Sequence, residues 1–315
     1  MVGILIVTYN SEEVIGPCLD ACRGHVAEIL VVDNGSADGT RTQVLSRPWA
    51  RGVFNPENRG FAAAVNQGFS ALQCDLVLLL NPDAALRGGI ESLASTFDNP
   101  DTGAATGRLV GEDGNEQSDF HLRRLPSAAV LAFEVLGLNR LWPGNPVNRR
   151  YRGCKEVEQP AGAFIMIRRS AWEELGGFDE EFFPVWFEDV DFCKRLKDAG
   201  WRVAYEPAAS ARHIGAHSTS AIAWSDRQSF WYGSLLRYAV KHYPVVYRTL
   251  VCLAVMLACP FRMLVAMAAR RSMDPVRVFG GVFRSAAHCL VTGHPKSRES
   301  LVPAEQLVRQ YAKYQ

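Results

Sequence analysis

Two carboxylates directly follow apolar runs that are typical of buried β-strands. Asp33 comes after the run 29–32, and Asp83 comes after the run 76–80 with Pro82 before it. Ligands of open parallel sheets bind beyond the carboxyl ends of the strands, so both side chains are candidates for one crevice. The first carboxylate could bind a nucleobase imide or a ribose hydroxyl, and the second could coordinate Mg²⁺ or Mn²⁺ together with phosphate oxygens. Taken singly, each could instead belong to an ordinary turn.

A third group of carboxylates is interleaved with aromatic residues between Gly176 and Cys193. A desolvated carboxylate needs a partner, so this composition fits a site better than a core. The helical spacing of the apolar residues 190–196 puts Glu188 and Asp189 at a helix N-terminus. The helix dipole favours an ionised carboxylate there, able to act as a general base. The alternative is the acidic first turn of a surface helix.

Two histidines, His213 and His217, follow a short predicted strand at Val203 to Tyr205. A single histidine is usually an ordinary surface or core residue. Two of them beside Gly215 and Ser218 could supply a metal ligand and a phosphate contact, and the spacing does not decide which histidine binds the metal.

Other sites are not expected. There is no G-x-G-x-x-G after the first strand and no P-loop motif, which argues against nicotinamide or P-loop nucleotide binding. Eight scattered cysteines without a secretory signal indicate free thiols in a reducing compartment, and Cys18 and Cys22 lack the second ligand pair of a zinc site. Nearly equal numbers of basic and acidic residues, 34 and 33, argue against nucleic acid as a partner.

The elements that would position these residues alternate strand and helix, which predicts an α/β fold with a mainly parallel sheet. Strands are predicted at Gly3 to Thr8, Glu28 to Val32, around Val53, Leu76 to Leu80, Ala104 to Leu109 and Gly162 to Ile167. Helices are predicted to begin at Ser11, Asn58 and Ser170.

The C-terminal region differs in charge and hydropathy from the rest of the chain. From Arg237 onward there are 12 basic and 3 acidic residues. The 13 uncharged residues 249–261 fall short of the roughly 20 needed to span a bilayer, and Pro260 and Arg262 are expected to interrupt any extension. We therefore expect an interfacial helix pair whose arginines face an anionic leaflet, the alternative being a helix buried against the catalytic domain.

Several motifs, together and in this order, resemble the family 2 inverting glycosyltransferases with the GT-A fold, most closely the bacterial rhamnosyltransferase-like branch. The resemblance covers about residues 3 to 220. It rests on Thr8-Tyr9-Asn10, Val32-Asp33-Asn34-Gly35-Ser36, Asp38-Gly39-Thr40, Asn58-Arg59-Gly60-Phe61-Ala62, Asn81-Pro82-Asp83, Gly176-Gly177-Phe178-Asp179, Glu188-Asp189-Val190-Asp191 and the His213 segment.

The resemblance implies a GT-A fold, which is Rossmann-like with a mostly parallel central sheet flanked by helices, here with a C-terminal helical membrane-associated extension. It implies a donor-binding half at 1–109, an acceptor-binding and catalytic half at 110–236 and a helical, basic and apolar region at 237–315. The implied catalytic base is Asp189, and the implied metal ligands are Asp83 and His213. The donor contacts would be Thr8, Tyr9, Asn10, Asp33, Asn34, Ser36, Arg59, Asn66, Asn81, Pro82 and Asp83, and the acceptor contacts Gly162, Trp186 and Glu188.

One position departs from the family pattern. Many members have an aspartate two positions before the metal-binding one, where this chain has Asn81. Binding of Mg²⁺ or Mn²⁺ would then rest on Asp83, His213 and the donor diphosphate.

The implied reaction is an inverting, metal-dependent sugar transfer in cell-wall or polysaccharide biosynthesis. The donor would be dTDP-rhamnose, with UDP-sugars second because Asp33 would read an imide common to thymine and uracil. The acceptor would be a polyprenyl-linked or polysaccharide glycan at the cytoplasmic face of the bacterial inner membrane, reached by peripheral association.

Two other functions make different demands on the sequence. A nucleotidyltransferase would need a basic Gly-rich loop after the first strand, but residues 10–15 contain neither Arg nor Lys. A non-catalytic carbohydrate-binding or scaffold protein on this fold would be expected to lack the base or a metal ligand, yet Asp83 and Asp189 are both present.

Overall fold

The computed structural model of the protein describes residues 1–138, 154–215 and 222–295. The chain forms two compact units. The described part of the first comprises 1–125, 154–180 and 188–215, and that of the second comprises 126–138, 181–187 and 222–295. Elements are numbered below in chain order across both units.

The first unit alternates strands and helices, as the sequence predicts. Its elements are β1 (Val2–Thr8), α1 (Glu12–Cys22), β2 (Glu28–Asp33), α2 (Thr40–Leu45), β3 (Arg51–Phe54), α3 (Phe61–Ala71), β4 (Leu76–Leu80), β5 (Ala84–Gly88), α4 (Ile90–Ser95), the 3-10 turn Thr96–Asp98, β6 (Thr102–Val110), α5 (Ser118–His121), β7 (Leu122–Arg123), β8 (Gln159–Pro160), β9 (Phe164–Arg168), α7 (Arg169–Glu174), α8 (Glu188–Asp198) and β10 (Arg202–His213).

Eight of these strands form one sheet in the order β3-β2-β1-β4-β9-β6-β10-β5. The strands β3, β2, β1 and β4 run parallel, as do β6 and β10. Strand β9 is antiparallel to both β4 and β6, and β5 is antiparallel to β10. The predicted α/β sheet is confirmed, with antiparallel strands inserted in its second half.

Helices cover both faces of the sheet because its strands are apolar on both sides. Along β1, Leu5 belongs to one buried cluster and Ile4 to the other, and the same alternation runs along β2 and β4. Phe69 of α3 packs in the first cluster and Leu19 of α1 in the second. The packed core thus holds the ends of the parallel strands in place beneath the polar loops that follow them.

The structure differs in detail from the prediction at the start of two helices. Ser11 precedes α1, but its side chain makes no capping bond, and its own N–H donates to Oγ1 of Thr40 over 2.8 Å. Asn58 lies before α3, which begins at Phe61, and the Asn58 side chain accepts the Gly60 N–H over 2.9 Å. Neither side chain therefore caps its helix.

The predicted strand at Val203 to Tyr205 was too short. Strand β10 continues to His213 because its second part pairs with β5 on one side and β6 on the other. The half-buried Glu206 and the exposed Arg212 interrupt the apolar pattern of the strand in the sequence. His213 is therefore the last residue of a strand and not part of a following loop.

The second unit is helical. It contains α6 (Ala128–Val135), α9 (Trp224–His242), α10 (Val245–Arg270) and α11 (Asp274–Thr292). The expectation that Pro260 and Arg262 interrupt the apolar segment was wrong, because α10 continues through both. Packing of its buried face, which includes Val255 and Cys259, outweighs the roughly 3 kcal/mol that an interior proline costs.

By length and composition, α10 is able to cross a membrane. Its most apolar 18-residue window has a mean hydropathy of 2.3, and 33% of that window is buried. Core helices of soluble proteins can have the same composition, so this property alone does not place the helix in a bilayer.

Candidate functional site

The carboxylate of Asp33 lies at the end of β2, beside the end of β1. The parallel register pairs Thr8 with Asp33, and the Thr8 hydroxyl donates to Oδ1 of Asp33 over 3.1 Å. The Ser36 hydroxyl donates to the same oxygen. Asp33 is buried, so these two bonds hold its carboxylate in one orientation at the edge of the sheet.

The loop after β1 is bonded to the loop after β2. The N–H of Asn10 donates to the Ser36 hydroxyl over 2.8 Å, and the Asn10 side chain accepts the Ala37 N–H over 2.9 Å. Asn10 has a positive φ of 49°, a conformation that asparagine tolerates better than most residues. Three predicted donor contacts, Thr8, Asn10 and Ser36, therefore belong to one bonded group around Asp33.

Asp38 adds a second link between these loops. Its carboxylate accepts the Thr40 hydroxyl over 2.5 Å and the Glu12 N–H over 3.1 Å. Burial raises the pKa of Asp38, but these hydrogen bonds outweigh it, and the net effect lowers the pKa below its ordinary value.

Asn34 connects the end of β2 to the loop that carries Arg59. Its Oδ1 accepts the backbone N–H of Arg59 over 3.1 Å, and its Nδ2 donates to the Asn58 side chain and the Gly60 carbonyl over 3.0 and 3.1 Å. Both ends of this buried amide thus position the Arg59 loop. The Arg59 side chain itself is exposed. Direct donor contacts of Asn34 and Arg59 stay predictions.

Gly35 fits between these two loops because it lacks a side chain. Its φ is +81°, and a Cβ there would lie 2.7 Å from the backbone carbonyl carbon of Glu57. Any larger residue would push the 55–60 loop away from Asp33.

Asp83 and His213 meet where β5 pairs with β10. Their side chains are buried, and Nε2 of His213 lies 3.4 Å from Oδ1 of Asp83. The other carboxylate oxygen accepts the Gly215 N–H over 3.1 Å, and the Asp83 carbonyl accepts the Ile214 N–H over 3.1 Å. These two bonds hold the residues that follow β10 against Asp83.

These two side chains fit a divalent cation. Adjacent ligands of an octahedral ion at about 2.1 Å lie about 3.0 Å apart, which is close to the observed separation. A carboxylate and an imidazole are also donors that Mn²⁺ accepts. Within the described residues no third His, Cys, Asp or Glu joins them. His217 lies outside the described residues.

Asn81 lies in the same group. Its Nδ2 is 3.4 Å from Nε2 of His213, and its backbone N–H donates to the Ala163 carbonyl over 3.0 Å. The neighbouring Pro82 is buried. The structure therefore brings the predicted Asn81, Pro82 and Asp83 together with His213.

Asp189 lies in the N-terminal turn of α8, as predicted. Its Oδ2 accepts the Gly162 N–H over 3.0 Å, and its Oδ1 accepts the Val190 N–H over 2.8 Å. Burial raises the pKa of Asp189 above its ordinary value, and the two backbone bonds and the charge of Arg123 oppose this rise without cancelling it. In its ionised form, a carboxylate with a raised pKa is a better proton acceptor than a free aspartate.

The short segment 162–163 joins the two halves of the site. Gly162 donates to Asp189, and the adjacent Ala163 accepts from Asn81. Since β9 follows directly and pairs with β4, the base candidate and the Asp83–His213 pair lie at the same edge of the sheet. Glu188, next to Asp189, is buried with 4% exposure.

Sequence reasoning did not identify two residues near Asp189. The Gln159 amide lies 3.5 Å from Oδ2 of Asp189, and Arg123 pairs with Gln159 across β7 and β8. Gln159 lies three positions before Gly162, a predicted acceptor contact, and this proximity is the signal that could have indicated it. No comparable signal marks Arg123.

Asn66 contacts a turn instead of the group around Asp33. Its side chain donates to the Phe178 carbonyl and accepts the Phe178 N–H, both over 2.9 Å, and it also donates to Glu180. Arg195 braces the same turn through the Gly177 carbonyl and reaches Asp191 over 2.8 Å. Asn66 therefore holds the turn at residues 177–180 in place. A donor contact of Asn66 stays a prediction.

Trp186 belongs to the second unit, whereas Gly162 and Glu188 belong to the first. Trp186 and Phe187 both have positive φ, 81° and 72°. Both residues belong to the segment 181–187, which is attached to α9 by an ion pair between Glu181 and Arg237 over 2.9 Å. Two adjacent non-glycine residues in this conformation carry strain, which the attachment to α9 offsets.

Residues 3–176 match the family described as Glycosyl transferase family 2, and residues 149–290 match the description Glycosyl transferase family group 2. An N-acetylglucosaminyl-diphospho-decaprenol L-rhamnosyltransferase of Mycobacterium tuberculosis is 31% identical, over 68% of this chain and 79% of the relative. A rhamnosyltransferase of Escherichia coli K12 is 25% identical, over 74% of this chain and 92% of the relative.

A solved structure shares the fold. It is a mannosyltransferase of Pyrobaculum calidifontis in complex with GDP-mannose and Mn²⁺, with a TM-score of 0.52 and 17% identity. The match covers 92% of this chain and 86% of that one. The likeness identifies the architecture, including the expected GT-A type of sheet.

Proposed function

The chain belongs to glycosyl transferase family 2, and from that premise we propose that it transfers rhamnose from a nucleotide diphosphate donor to a lipid-linked or polymeric glycan. The observation that carries the proposal is the segment 162–163, whose backbone bonds both to the base candidate Asp189 and to Asn81 beside Asp83 and His213. This link supports the proposal that a proton acceptor and a diphosphate-binding pair act at one edge of the sheet.

The proposed reaction is a single displacement. The acceptor hydroxyl attacks the anomeric carbon and gives its proton to the Asp189 carboxylate, while the bond to the diphosphate breaks and its electron pair leaves with the phosphate oxygen. Attack opposite the leaving group inverts the anomeric configuration. A retaining glycosidase would need two carboxyl groups about 5–5.5 Å apart facing one sugar. Glu188 and Asp189 are adjacent in sequence and poorly placed for that arrangement.

Each part of the first unit has a role in this reaction. The bonded group around Asp33 holds the pyrimidine, and the Arg59 loop closes over the nucleotide. Gly162 and Val190 orient the Asp189 carboxylate through their N–H groups. Gly162 and Glu188 are the proposed acceptor contacts of the first unit, and an acceptor contact of Trp186 stays a prediction.

A divalent cation, Mg²⁺ or Mn²⁺, is proposed as the cofactor. Asp83 and His213 would hold it with the donor diphosphate. Once bound, such a cation neutralises negative charge that develops on the leaving group. Asn81, which stands where many relatives have a carboxylate, would contribute a neutral contact.

The donor proposed is dTDP-rhamnose, with UDP-sugars second. Asp33 can accept a hydrogen bond from the imide N–H that thymine and uracil share, so this residue does not separate the two. The Mycobacterium tuberculosis relative is named for an L-rhamnosyl transfer to a diphospho-decaprenol-linked sugar, which supports rhamnose and a polyprenyl diphosphate acceptor for this chain.

A polyprenyl acceptor requires contact with a bilayer, and the second unit offers a surface for it. We call α10 and α11 the C-terminal hairpin. Exposed apolar side chains repeat at intervals of three and four along α10: Val246, Leu250, Leu253, Leu257, Phe261 and Leu264. Val251, Val255 and Cys259 are buried on the other side of the helix. A continuous exposed apolar stripe is typical of a helix that lies in the membrane interface.

Charge on the hairpin suits an anionic leaflet. Arg271, Arg277 and Arg284 are exposed, and Asp274 is the one acidic residue of segment 245–292. The guanidinium of Arg262, well inside α10, donates to the carbonyl oxygens of Val135 and Glu134 at the end of α6 over 2.9 and 3.2 Å. This attachment favours a helix that lies on the cytoplasmic face of the inner membrane over one that crosses it.

The test is a transfer assay with the purified full-length protein. It is incubated with Mn²⁺, a panel of nucleotide sugars and a polyprenyl diphosphate-linked N-acetylglucosamine, and release of nucleoside diphosphate and the anomeric configuration of the product are measured. We expect release with dTDP-rhamnose and an inverted product. Donor binding without release for any donor and acceptor would support a carbohydrate-binding protein instead.

A further inference from the structure

Gln117 precedes α5 and contacts His213 on two sides. Its Oε1 lies 2.8 Å from Nδ1 of His213, and its Nε2 donates to the His213 carbonyl over 3.0 Å. The backbone of Gln117 is fixed as well, since its N–H donates to the Leu109 carbonyl over 2.9 Å. The side chain is thus presented to the imidazole from a rigid position.

The two contacts together determine which end of the amide faces the ring. A backbone carbonyl only accepts hydrogen bonds, so the atom that meets the His213 carbonyl must be the amide nitrogen. The oxygen then faces Nδ1, and because an amide oxygen donates no proton, Nδ1 must carry one. The neutral imidazole consequently has its lone pair on Nε2.

That lone pair lies near the other proposed metal ligand, Asp83, and near the amide of Asn81, which can donate to it. Nε2 lies 3.4 Å from Oδ1 of Asp83 and 3.4 Å from Nδ2 of Asn81. A carboxylate oxygen and an imidazole lone pair that face each other are two electron-pair donors, which a cation can bridge. The ring of Phe120 stacks on His213 at 5.6 Å with an interplanar angle of 14°, which further limits rotation of the imidazole.

We infer that Gln117 is a positioning residue that holds His213 in the Nδ1–H tautomer with Nε2 available to a divalent cation. The inference rests on the proposed function insofar as it assigns His213 to a metal. Residues that hold the other nitrogen of a ligating histidine commonly contribute 10- to 100-fold to metal affinity, so an effect of about that size is expected here.

The first experiment needs no metal. Two-bond nitrogen–proton correlation spectra of the full chain without added metal report the tautomer of His213, assigned by the loss of its signals in His213→Gln. We expect the Nδ1–H form in the natural protein and loss of that preference in Gln117→Leu and in Gln117→Met. Gln117→Glu keeps an acceptor opposite Nδ1 and is expected to keep the tautomer.

The second experiment titrates Mn²⁺ into the same proteins by calorimetry in the presence of a nucleoside diphosphate. Gln117→Leu should bind Mn²⁺ about 10- to 100-fold more weakly, and Gln117→Glu should restore most of the affinity. Glu116→Gln is the matched control, because it changes the adjacent residue, whose ion pair with Arg108 is exposed at the surface. It should leave both readouts unchanged.

The outcomes separate the inference from the proposed metal role. If the natural protein binds no Mn²⁺ under these conditions, the metal proposal fails, and the spectra still decide whether Gln117 sets the tautomer. An unchanged tautomer and unchanged Mn²⁺ affinity in folded Gln117→Leu and Gln117→Met would overturn the inference.

Discussion

The backbone N–H of Gly162 donates to Oδ2 of Asp189 over 3.0 Å, across 27 residues of sequence. Because Val190 donates to the other oxygen, the carboxylate cannot rotate freely. If Asp189 is the base, a carboxylate held in this way meets an acceptor hydroxyl in one orientation.

Replacing Asp189 with asparagine should abolish transfer and leave donor binding intact. General-base catalysis contributes about 10²- to 10⁴-fold, so a fall in kcat of that order is expected with little change in KM for the donor. Initial rates of nucleoside diphosphate release measure it. Asp198→Asn, on the same helix but exposed and paired with Lys194, is the control. Full activity in Asp189→Asn would refute the assignment of the base.

The pH dependence should reflect the raised pKa of Asp189. The base acts when ionised, so kcat/KM should fall as the pH drops through this pKa, at a higher pH than for an ordinary aspartate. A raised carboxyl pKa also means that the folded state binds this proton more tightly than the unfolded state does. Ionisation of Asp189 then lowers stability as the pH rises from the ordinary pKa to the raised one.

Asp189→Asn removes the buried charge but loses one of the two backbone hydrogen bonds, because an amide nitrogen cannot accept an N–H. Its Tm relative to that of the natural protein should therefore be most favourable at pH 7 and should become less favourable at acidic pH, where Asp189 is protonated. Thermal unfolding at several pH values measures it. If the Tm of Asp189→Asn lies below that of the natural protein by the same amount at every pH, the carboxylate stabilises the fold mainly as a hydrogen-bond acceptor.

Loss of either proposed metal ligand should weaken Mn²⁺ binding. Asp83→Asn removes the charge and His213→Gln removes the imidazole, and we expect at least a 10-fold loss of affinity in each because the described chain supplies only these two. Calorimetry with a nucleoside diphosphate measures it. Retained affinity in both variants would place the cation elsewhere.

Two glycines with similar φ should respond differently to alanine. Gly35 has φ +81° and would place a Cβ 2.7 Å from the Glu57 backbone, whereas Gly114 has φ +78° and open space around it. Gly114→Ala should cost about 1 kcal/mol of unfolding free energy, from the left-handed conformation alone. Gly35→Ala should cost clearly more and weaken donor binding, because the 55–60 loop must move. Denaturant unfolding and donor titration test this, and equal losses would contradict it.

The exposed stripe of α10 should bind anionic bilayers. Leu257 and Phe261 are 70% and 69% exposed, and a Leu257→Glu, Phe261→Glu double variant should lose most of its co-sedimentation with phosphatidylglycerol-containing vesicles. Leu45→Glu is the matched control, since Leu45 is 63% exposed but lies in the first unit. Raising the salt concentration should weaken binding by screening the arginines. Undiminished sedimentation of the double variant would exclude this surface.

Local patterns in the sequence determine most of the first unit. The strand Leu76–Leu80 lies where its apolar run predicts. Asp33 ends its strand and Asp83 comes shortly after its own, because a run of buried apolar residues and the polar residues that end it are close together in the chain. The N-terminal position of Asp189 on α8 follows from helical spacing for the same reason.

The tertiary structure alone decided the partners of these residues. Gln117 and His213 are 96 residues apart, and Asn66 bonds to Phe178 over a separation of 112. Hydrogen bonds of this kind depend on which strands pair, and no periodicity in the sequence encodes a pairing between distant segments. The continuation of α10 through Pro260 has the same origin, since helix packing outweighed a local signal that favours an end. The sequence by itself therefore predicted the chemistry of the site, whereas long-range packing decided which side chains orient its groups.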